Sequence, residues 1–169
     1  FNILNFCKKR KIKLIYASSS SVYGEYKKFP TKEWQSLNPK NIYSATKMGN
    51  EIFAEIFSNF YNLEIIGLRF FTVYGEWGRP DMFLLKYLQS ASQNKKFILY
   101  NKGNYYRDFT YIVDAIKLIE PIIFLKKNYF KKHEIFNVCS NRPIKMSKVC
   151  EKLQKLAKHK KLISQKKTI

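Results

Sequence analysis

Short apolar runs alternate with an amphipathic stretch in the first half of the chain. The run Lys13-Leu14-Ile15-Tyr16-Ala17 predicts a strand buried on both faces, as in a parallel sheet. Residues from about Tyr43 to Tyr61 predict an amphipathic helix, and Glu64 to Phe70 predicts another strand. The apolar positions of that helix are Ile52, Phe53, Ile56, Phe57 and Phe60. A strand, a helix and a strand in this order form a βαβ unit, which favours a parallel sheet.

The pattern changes beyond Pro80. Apolar spacing predicts helices near 82–93, at about 111–125 and near 146–157. Short strands are predicted at 97–100 and 135–138, with a turn at Gly103 between them. This half therefore predicts a smaller α/β lobe.

Composition places the chain among packed globular proteins. Of its 169 residues, 46% are apolar and 17% are aromatic, which is too many for a disordered chain. The sequence opens on Phe1, and its first residues have the pattern of the end of a helix that feeds a buried strand. We therefore expect a piece of a longer protein.

The net charge of +20 raises the alternative of a basic module that binds nucleic acid. The lysines, however, occur in twos and threes along the whole chain, a pattern typical of solvated surface. No recognised nucleic-acid-binding motif is present, although the many tyrosines could stack on bases. We favour the surface interpretation and expect no nucleic-acid partner.

The chain has three cysteines, Cys7, Cys139 and Cys150. They form no Cys-x-x-Cys pair, which argues against both a disulfide framework and a zinc site and suits the cytoplasm. The longest apolar candidate for a membrane span, Ile116 to Leu125, is interrupted by charged residues and a proline. We therefore expect no metal, no membrane partner and a cytoplasmic location.

Tyr43 and Lys47 place a phenol and an ammonium four residues apart, on one face of the predicted helix. A neighbouring positive charge lowers the pKa of a phenol, so Tyr43 is a candidate general base for a substrate hydroxyl. The spacing alone is weak evidence, because about two Tyr-x-x-x-Lys matches are expected by chance in a chain of this composition. A second match, Tyr23 and Lys27, does exist.

Three further segments give the pair its context. They are the serine-rich run Ala17 to Gly24, the run Gly67 to Met82 (Gly-Leu-Arg-Phe-Phe-Thr-Val-Tyr-Gly-Glu-Trp-Gly-Arg-Pro-Asp-Met), and Arg107-Asp108-Phe109-Thr110-Tyr111 followed by Asp114. With Tyr43 and Lys47 they resemble the extended short-chain dehydrogenase/reductase family, in particular its NAD-dependent nucleotide-sugar epimerases and dehydratases. The second run is most similar to UDP-glucuronate 4-epimerases. The resemblance covers roughly residues 3 to 157.

The resemblance implies a role for each matching residue. Tyr43 would take the proton of the sugar 4-hydroxyl, and Lys47 would bind the nicotinamide ribose of NAD and tune Tyr43. Ser19 would hydrogen-bond the same sugar oxygen and relay its proton. Ser18 and Phe70 would join Tyr43 and Lys47 in lining the cofactor site. NAD would stay bound, because the hydride it takes from C4 returns to the opposite face of the sugar.

The same motifs also bear on the substrate class that the resemblance implies. Ser20 and Ser21 stand where the dehydratases of this family carry two acids, and the related decarboxylases have a glutamate in place of Ser21. Thr72 replaces the asparagine usual in galactose-type epimerases. Arg79, with Thr72 and Ser20, would hold the C6 carboxylate of UDP-glucuronate. The alternative within the family is a neutral UDP-hexose 4-epimerase.

Arg107 would bind the UDP diphosphate, or else pair with Asp108 or Asp114. Glu76, Asp81, His133 and His159 are interpreted as surface residues.

The resemblance also predicts the domain organisation. Residues 1–80 would be the carboxyl-terminal half of a Rossmann-like parallel sheet, and 81–169 mainly an incomplete nucleotide-sugar-binding α/β lobe. The helix of Tyr43 would pair across a homodimer in the intact enzyme.

The chain departs from the family pattern in two respects. The glycine-rich dinucleotide turn is absent, so we expect this chain alone to be inactive. Cys139 replaces a glycine, which would distort the lobe. A non-catalytic member of the family that only binds a partner stays open.

Overall fold

The computed structural model describes residues 1–25, 30–126, 129–130, 132–158 and 162–164. Within them the α-helices are α1 (Asn2–Arg10), α2 (Ile42–Tyr61), α3 (Phe83–Ser92), α4 (Ile112–Phe124) and α5 (Met146–Ala157). The strands are β1 (Leu14–Ser19), β2 (Ile65–Phe70), β3 (Thr72–Tyr74), β4 (Phe97–Leu99), β5 (Tyr106–Tyr111), β6 (His133–Val138), β7 (Pro143–Lys145) and β8 (Leu162–Ser164).

The chain divides into two compact units. The first unit is Phe1–Phe71 with Asp114–Cys139, and the second unit is Thr72–Val113 with Ser140–Ile169. The predicted linear boundary at residue 80 differs from this division. The difference arises because residues 114–139 return to the first unit, where β6 pairs with β2.

The first unit contains a parallel sheet in the order β1-β2-β6, so the predicted βαβ unit and Rossmann-like α/β class are confirmed. The central strand β2 is buried along nearly its whole length, with Ile65 and Ile66 at 0% exposure. A strand covered on both faces requires a nearly continuous apolar sequence, which β2 has. One charged residue, Arg69, interrupts it.

The prediction that β1 is buried on both faces is wrong for the described residues. Leu14, Ile15 and Tyr16 are only partly buried, Ala17 is exposed, and Ser18 alone is fully buried. The physical reason is position, since β1 lies at the edge of the described sheet and fewer neighbours cover its side chains.

The helix α2 begins where the sequence predicted. Its first turn is closed by a capping box, in which the Asn41 side chain accepts from the Ser44 amide at 2.8 Å and Ser44 Oγ accepts from the Asn41 amide at 3.1 Å. Such reciprocal bonds satisfy amides that a helix start leaves without partners.

Most of the apolar positions that mark α2 in the sequence are exposed in the structure. Of its five positions only Phe57 is buried; Ile52, Phe53, Ile56 and Phe60 are 46–80% exposed. The buried residues of α2 are Ser44, Glu51, Ala54, Phe57 and Ser58. The buried side of α2 thus carries mostly small and polar residues, of which Ser44 and Glu51 make side-chain hydrogen bonds.

Packing between α1, α2 and the sheet forms the core of the first unit. Its buried members are Leu4, Cys7, Ala54, Phe57, Leu63 and Ile65. Gly67 on β2 is required by close packing, since a Cβ there would lie 2.5 Å from Ile135 Cδ1 and 2.7 Å from the Tyr16 hydroxyl. The Tyr16 hydroxyl lies 2.9 Å from His133 Nε2. His133 is therefore partly buried rather than a surface residue.

The second unit is the expected smaller α/β lobe. Its strand β5 pairs in parallel with β3 and antiparallel with β7, and β4 pairs in parallel with β8. The strands β3, β5, β7 and β8 were not predicted, because all but β5 have three residues and none shows a long apolar run. His159 lies outside the described residues.

No helix in the described ranges combines the length and the apolar character that crossing a membrane requires.

Candidate active site

The carboxyl ends of the parallel strands bring several predicted site residues to one edge of the first unit. Ser19 ends β1 and pairs in register with Phe70, which ends β2. Ser19 Oγ accepts from the Ser21 amide at 3.2 Å and from Ser21 Oγ at 2.9 Å. The Ser19 hydroxyl thus accepts hydrogen bonds that cap the short 3-10 turn Ser20–Tyr23, and within the described residues it donates none.

Lys47 reaches this edge from α2. Its Nζ donates to the Ala17 carbonyl at 2.9 Å, two residues before Ser19, and lies 5.8 Å from the centre of the Tyr43 ring. An ammonium has three protons, so this hydrogen bond leaves two for a ligand.

Tyr43 lies one helical turn before Lys47 and is 51% exposed. Within the described part of the chain, no hydrogen bond is made by its hydroxyl. The structure therefore joins Lys47 to the serine-bearing strand end and leaves the phenol open to a ligand.

Ser18 differs from its neighbours. Its side chain is buried at 3% exposure and its hydroxyl donates to Glu51 Oε1 at 2.5 Å. The proton of this hydroxyl is thus already donated to a buried carboxylate, and the place of Ser18 in the cofactor site stays a prediction.

A buried ion pair that sequence reasoning missed lies behind these residues. Arg69 donates through Nε to Glu51 Oε1 at 2.9 Å and through Nη2 to Glu51 Oε2 at 2.7 Å. Both side chains are at most 7% exposed. A charged residue inside an otherwise apolar strand was the signal in the sequence, since arginine is rarely buried without a partner.

The same guanidinium organises the turn after β1. Arg69 Nη1 donates to the Tyr23 hydroxyl at 2.7 Å and to the Glu33 carbonyl at 2.9 Å. The Tyr23 hydroxyl donates to Asn137 Oδ1 at 2.8 Å. Burial raises the pKa of Tyr23 despite the opposing effect of Arg69, so this phenol is a structural donor at neutral pH.

The remaining predicted residues, Thr72, Arg79 and Arg107, belong to the second unit. Thr72 starts β3 and pairs with Phe109. Arg79 forms a bidentate ion pair with Asp81, with Nε to Oδ1 at 3.0 Å and Nη2 to Oδ2 at 2.5 Å. The two side chains are 70% and 53% exposed, and the hydrogen bond from Arg79 lowers the pKa of Asp81. Asp81 is thus an exposed partner of Arg79.

Arg107 is exposed on β5, with its guanidinium 5.5 Å from the Tyr105 ring centre. The alternative pairing with Asp108 does not form. Asp108 is buried and accepts instead from the amides of Ser140 and Arg142 at 2.8 and 2.7 Å. Its role is to fix the turn between β6 and β7, which the sequence did not reveal.

Cys139 follows β6 directly. The left-handed residue of the next turn is Asn141 (φ 56), and Cys139 is not among the described residues with positive φ. Cysteine is therefore accommodated there without the backbone conformation that favours glycine. In the described residues no group of three or more His, Cys, Asp or Glu is arranged to hold a metal.

Comparisons with known proteins identify the family of this chain. The model of the NAD dependent epimerase/dehydratase family matches residues 1–139. An uncharacterised protein of Methanocaldococcus jannaschii is 42% identical over 156 residues, which are 91% of this chain and 47% of that protein. UDP-glucuronate 4-epimerase 1 of Arabidopsis thaliana is 42% identical over 122 residues, which are 69% of this chain and 28% of that protein.

A solved structure extends the likeness to three dimensions. The UDP-glucuronic acid 4-epimerase of Bacillus cereus, in complex with UDP-glucuronic acid and NAD, aligns with a TM-score of 0.85 at 30% identity. The alignment covers 97% of this chain and 51% of that one, so the chain spans about half the length of this epimerase and of the Methanocaldococcus jannaschii protein. Motifs, fold and family model together show that this chain belongs to the NAD dependent epimerase/dehydratase family.

Proposed function

We propose that the chain is the catalytic portion of an NAD-dependent UDP-sugar 4-epimerase that interconverts UDP-glucuronate and UDP-galacturonate. The observation that carries this proposal is the hydrogen bond from Lys47 to the strand end that bears Ser19, with the exposed Tyr43 phenol one turn away.

In this mechanism Tyr43 accepts the proton of the sugar 4-hydroxyl as the general base. Lys47 stabilises the phenolate by its positive charge. Ser19 donates a hydrogen bond to the same sugar oxygen, which keeps C4 oriented toward the reacting face. In the return step Tyr43 gives the proton back to the oxygen.

The residues at this edge fit a dinucleotide. Lys47 has two unused protons for ribose hydroxyls, and Phe70 offers a partly buried ring at the end of β2. When bound, NAD supplies the hydride chemistry at C4 of the sugar.

Specificity for a uronate rests on Arg79, with Thr72 and Ser20. A guanidinium fork matches a carboxylate in a bidentate geometry, which Arg79 already forms with Asp81. A 4-keto uronate loses carbon dioxide readily, and fixing its carboxylate out of alignment with the ketone suppresses that loss. Arg107 is proposed for the diphosphate, which its exposed guanidinium suits. The UDP-glucuronate 4-epimerases among the similar proteins support this substrate class.

The test is made in a polypeptide that joins this chain to a dinucleotide-binding segment. Tyr43→Phe should reduce kcat by at least about 100-fold with the KM for the UDP-sugar retained, because general acid–base catalysis contributes that much. Near-normal turnover would exclude Tyr43 as the base.

The same polypeptide separates the two substrate classes. Arg79→Ala should reduce kcat/KM for UDP-glucuronate and leave UDP-glucose unaffected. An equal loss on both substrates would favour the neutral UDP-hexose 4-epimerase.

Three further expectations belong to this proposal. The chain alone should bind NAD weakly by calorimetry, because its six glycines form no Gly-x-x-Gly-x-x-Gly turn for the diphosphate.

The exposed residues Ile52, Phe53, Ile56 and Phe60 of α2 suit a homodimer interface, which sedimentation of Phe53→Glu would test. The free thiols of Cys7 and Cys150 suit the reducing cytoplasm.

A further inference from the structure

Three residues of α2 at four-residue spacing, Tyr43, Lys47 and Glu51, follow one another along one side of the helix. Lys47 is bonded to the Ala17 carbonyl, and Glu51 is bonded to the next residue of β1, Ser18. The helix is therefore attached to consecutive residues at the carboxyl end of β1. Tyr43 is the first residue of this series, one helical turn before Lys47.

Glu51 is also attached to the neighbouring strand. Its two carboxylate oxygens accept from Nε and Nη2 of Arg69, so the planar fork fixes both the distance and the rotation of the carboxylate. The third nitrogen of that guanidinium holds Tyr23 in the turn that Ser19 caps. One ion pair thus connects α2, β1, β2 and the serine turn.

A buried ion pair is an inefficient way to stabilise a fold, because desolvation of two charges offsets most of their attraction. An apolar pair of similar volume would serve stability equally well. The ion pair instead fixes one arrangement of α2 on the sheet. A shift of α2 along β1, or a rotation of the helix, would break its hydrogen bonds.

We propose that Glu51 and Arg69 are positioning residues. They fix the position of α2 along β1 and its rotation, and so place Tyr43 and Lys47 beside Ser19. This inference rests on the proposed function for the roles of Tyr43 and Lys47. The residues act through the helix and do not touch the substrate.

The experiment uses the 169-residue chain and requires neither NAD nor a UDP-sugar, so its result is independent of whether the proposed activity is correct. In Glu51→Gln, well below the unfolding temperature, the acetylation rate of Lys47 relative to Lys86 in the second unit should rise about fivefold, as expected for loss of one hydrogen bond to the amine. The Tyr43 ring resonance, assigned with Tyr43→Phe, should move in the same variant.

A matched control lies one turn further along α2. Glu55 is exposed, and Glu55→Gln makes the same chemical change on the same helix without touching the ion pair. That variant should leave both signals unchanged. A purely structural role for Glu51 would lower the melting temperature but leave the Lys47 rate and the Tyr43 resonance of the folded protein as they are, and this result would overturn the proposal.

Two milder variants keep the proposal open to refutation if Glu51→Gln does not fold. Arg69→Lys retains the charge but not the fork, and Ser18→Ala removes only the hydroxyl bonded to Glu51. Each should raise the Lys47 rate by a smaller factor. An unchanged rate in both folded variants would contradict the proposed positioning role.

Discussion

Two arginines, one in each unit, make the same bidentate contact with a carboxylate in opposite surroundings. Arg69 and Glu51 in the first unit have side-chain exposures of 5% and 7%. Arg79 and Asp81 in the second unit have exposures of 70% and 53%. The geometry of the two forks is nearly the same, but water has access to only one of them.

That difference determines what each pair can do. In the buried pair neither charge can leave its partner without a large desolvation cost, so the pair is a fixed part of the fold. In the exposed pair, water and salt screen the attraction, so Asp81 can be exchanged for another carboxylate. Burial thus makes Arg69 suitable for positioning and exposure makes Arg79 suitable for ligand recognition.

The largest expected effect comes from breaking the buried pair. Glu51→Ala should lower the free energy of unfolding by about 3–5 kcal/mol, because Arg69 would be left as an uncompensated buried charge. Urea denaturation followed by circular dichroism measures the change. Arg79→Ala is the matched variant from the second unit and should leave the urea midpoint unchanged. Similar midpoints for the two variants would show that burial does not distinguish the pairs.

A smaller effect is expected from packing within the first unit. Gly67→Ala should cost about 1–3 kcal/mol, because the added methyl group meets Ile135 and Tyr16 and forces them to move. Gly49 on α2 is the control, since nothing lies within 4 Å of a Cβ there. Gly49→Ala should stabilise the chain by about 0.5–1 kcal/mol through helix propensity. Equal effects in the two variants would contradict the close packing at Gly67.

The smallest effect is a pH dependence confined to the first unit. Burial lowers the pKa of His133 from its ordinary value of 6.5, so the unfolded chain binds this proton more tightly than the folded one. The free energy of unfolding should therefore fall as the pH drops below 6.5, until His133 is also protonated in the folded state. Urea midpoints between pH 7.5 and about 5, compared with His133→Asn, measure the contribution. An identical slope in the variant would assign the dependence to other groups.

The sequence by itself determined the local elements and the family motifs. Apolar runs and helical spacing located β1, α2, β2 and α5, because these patterns follow directly from strand and helix periodicity. The Tyr43–Lys47 pair and the serine-rich strand end were recognisable because the chemistry depends on residue type at fixed spacing.

The strands β3, β5, β7 and β8 were missed, since none of them shows a long apolar run in the sequence. The hydrophobic pattern of the sequence also did not show which distant strands pair. Residues 114–139 belong to the first unit, where β6 pairs with β2 and Lys13 donates to the carbonyls of Ile122 and Leu125.

Only the tertiary structure decided which charges meet. Arg69 and Glu51 are 18 residues apart, and nothing local selects Glu51 over the other acids as its partner. Nor did the pattern show that Ser18 is bonded to Glu51 while Ser19 keeps a free proton, since adjacent strand residues point to opposite faces. The physical reason is that periodicity records which positions are apolar, whereas hydrogen bonds between distant residues form only after the sheet and α2 have packed together.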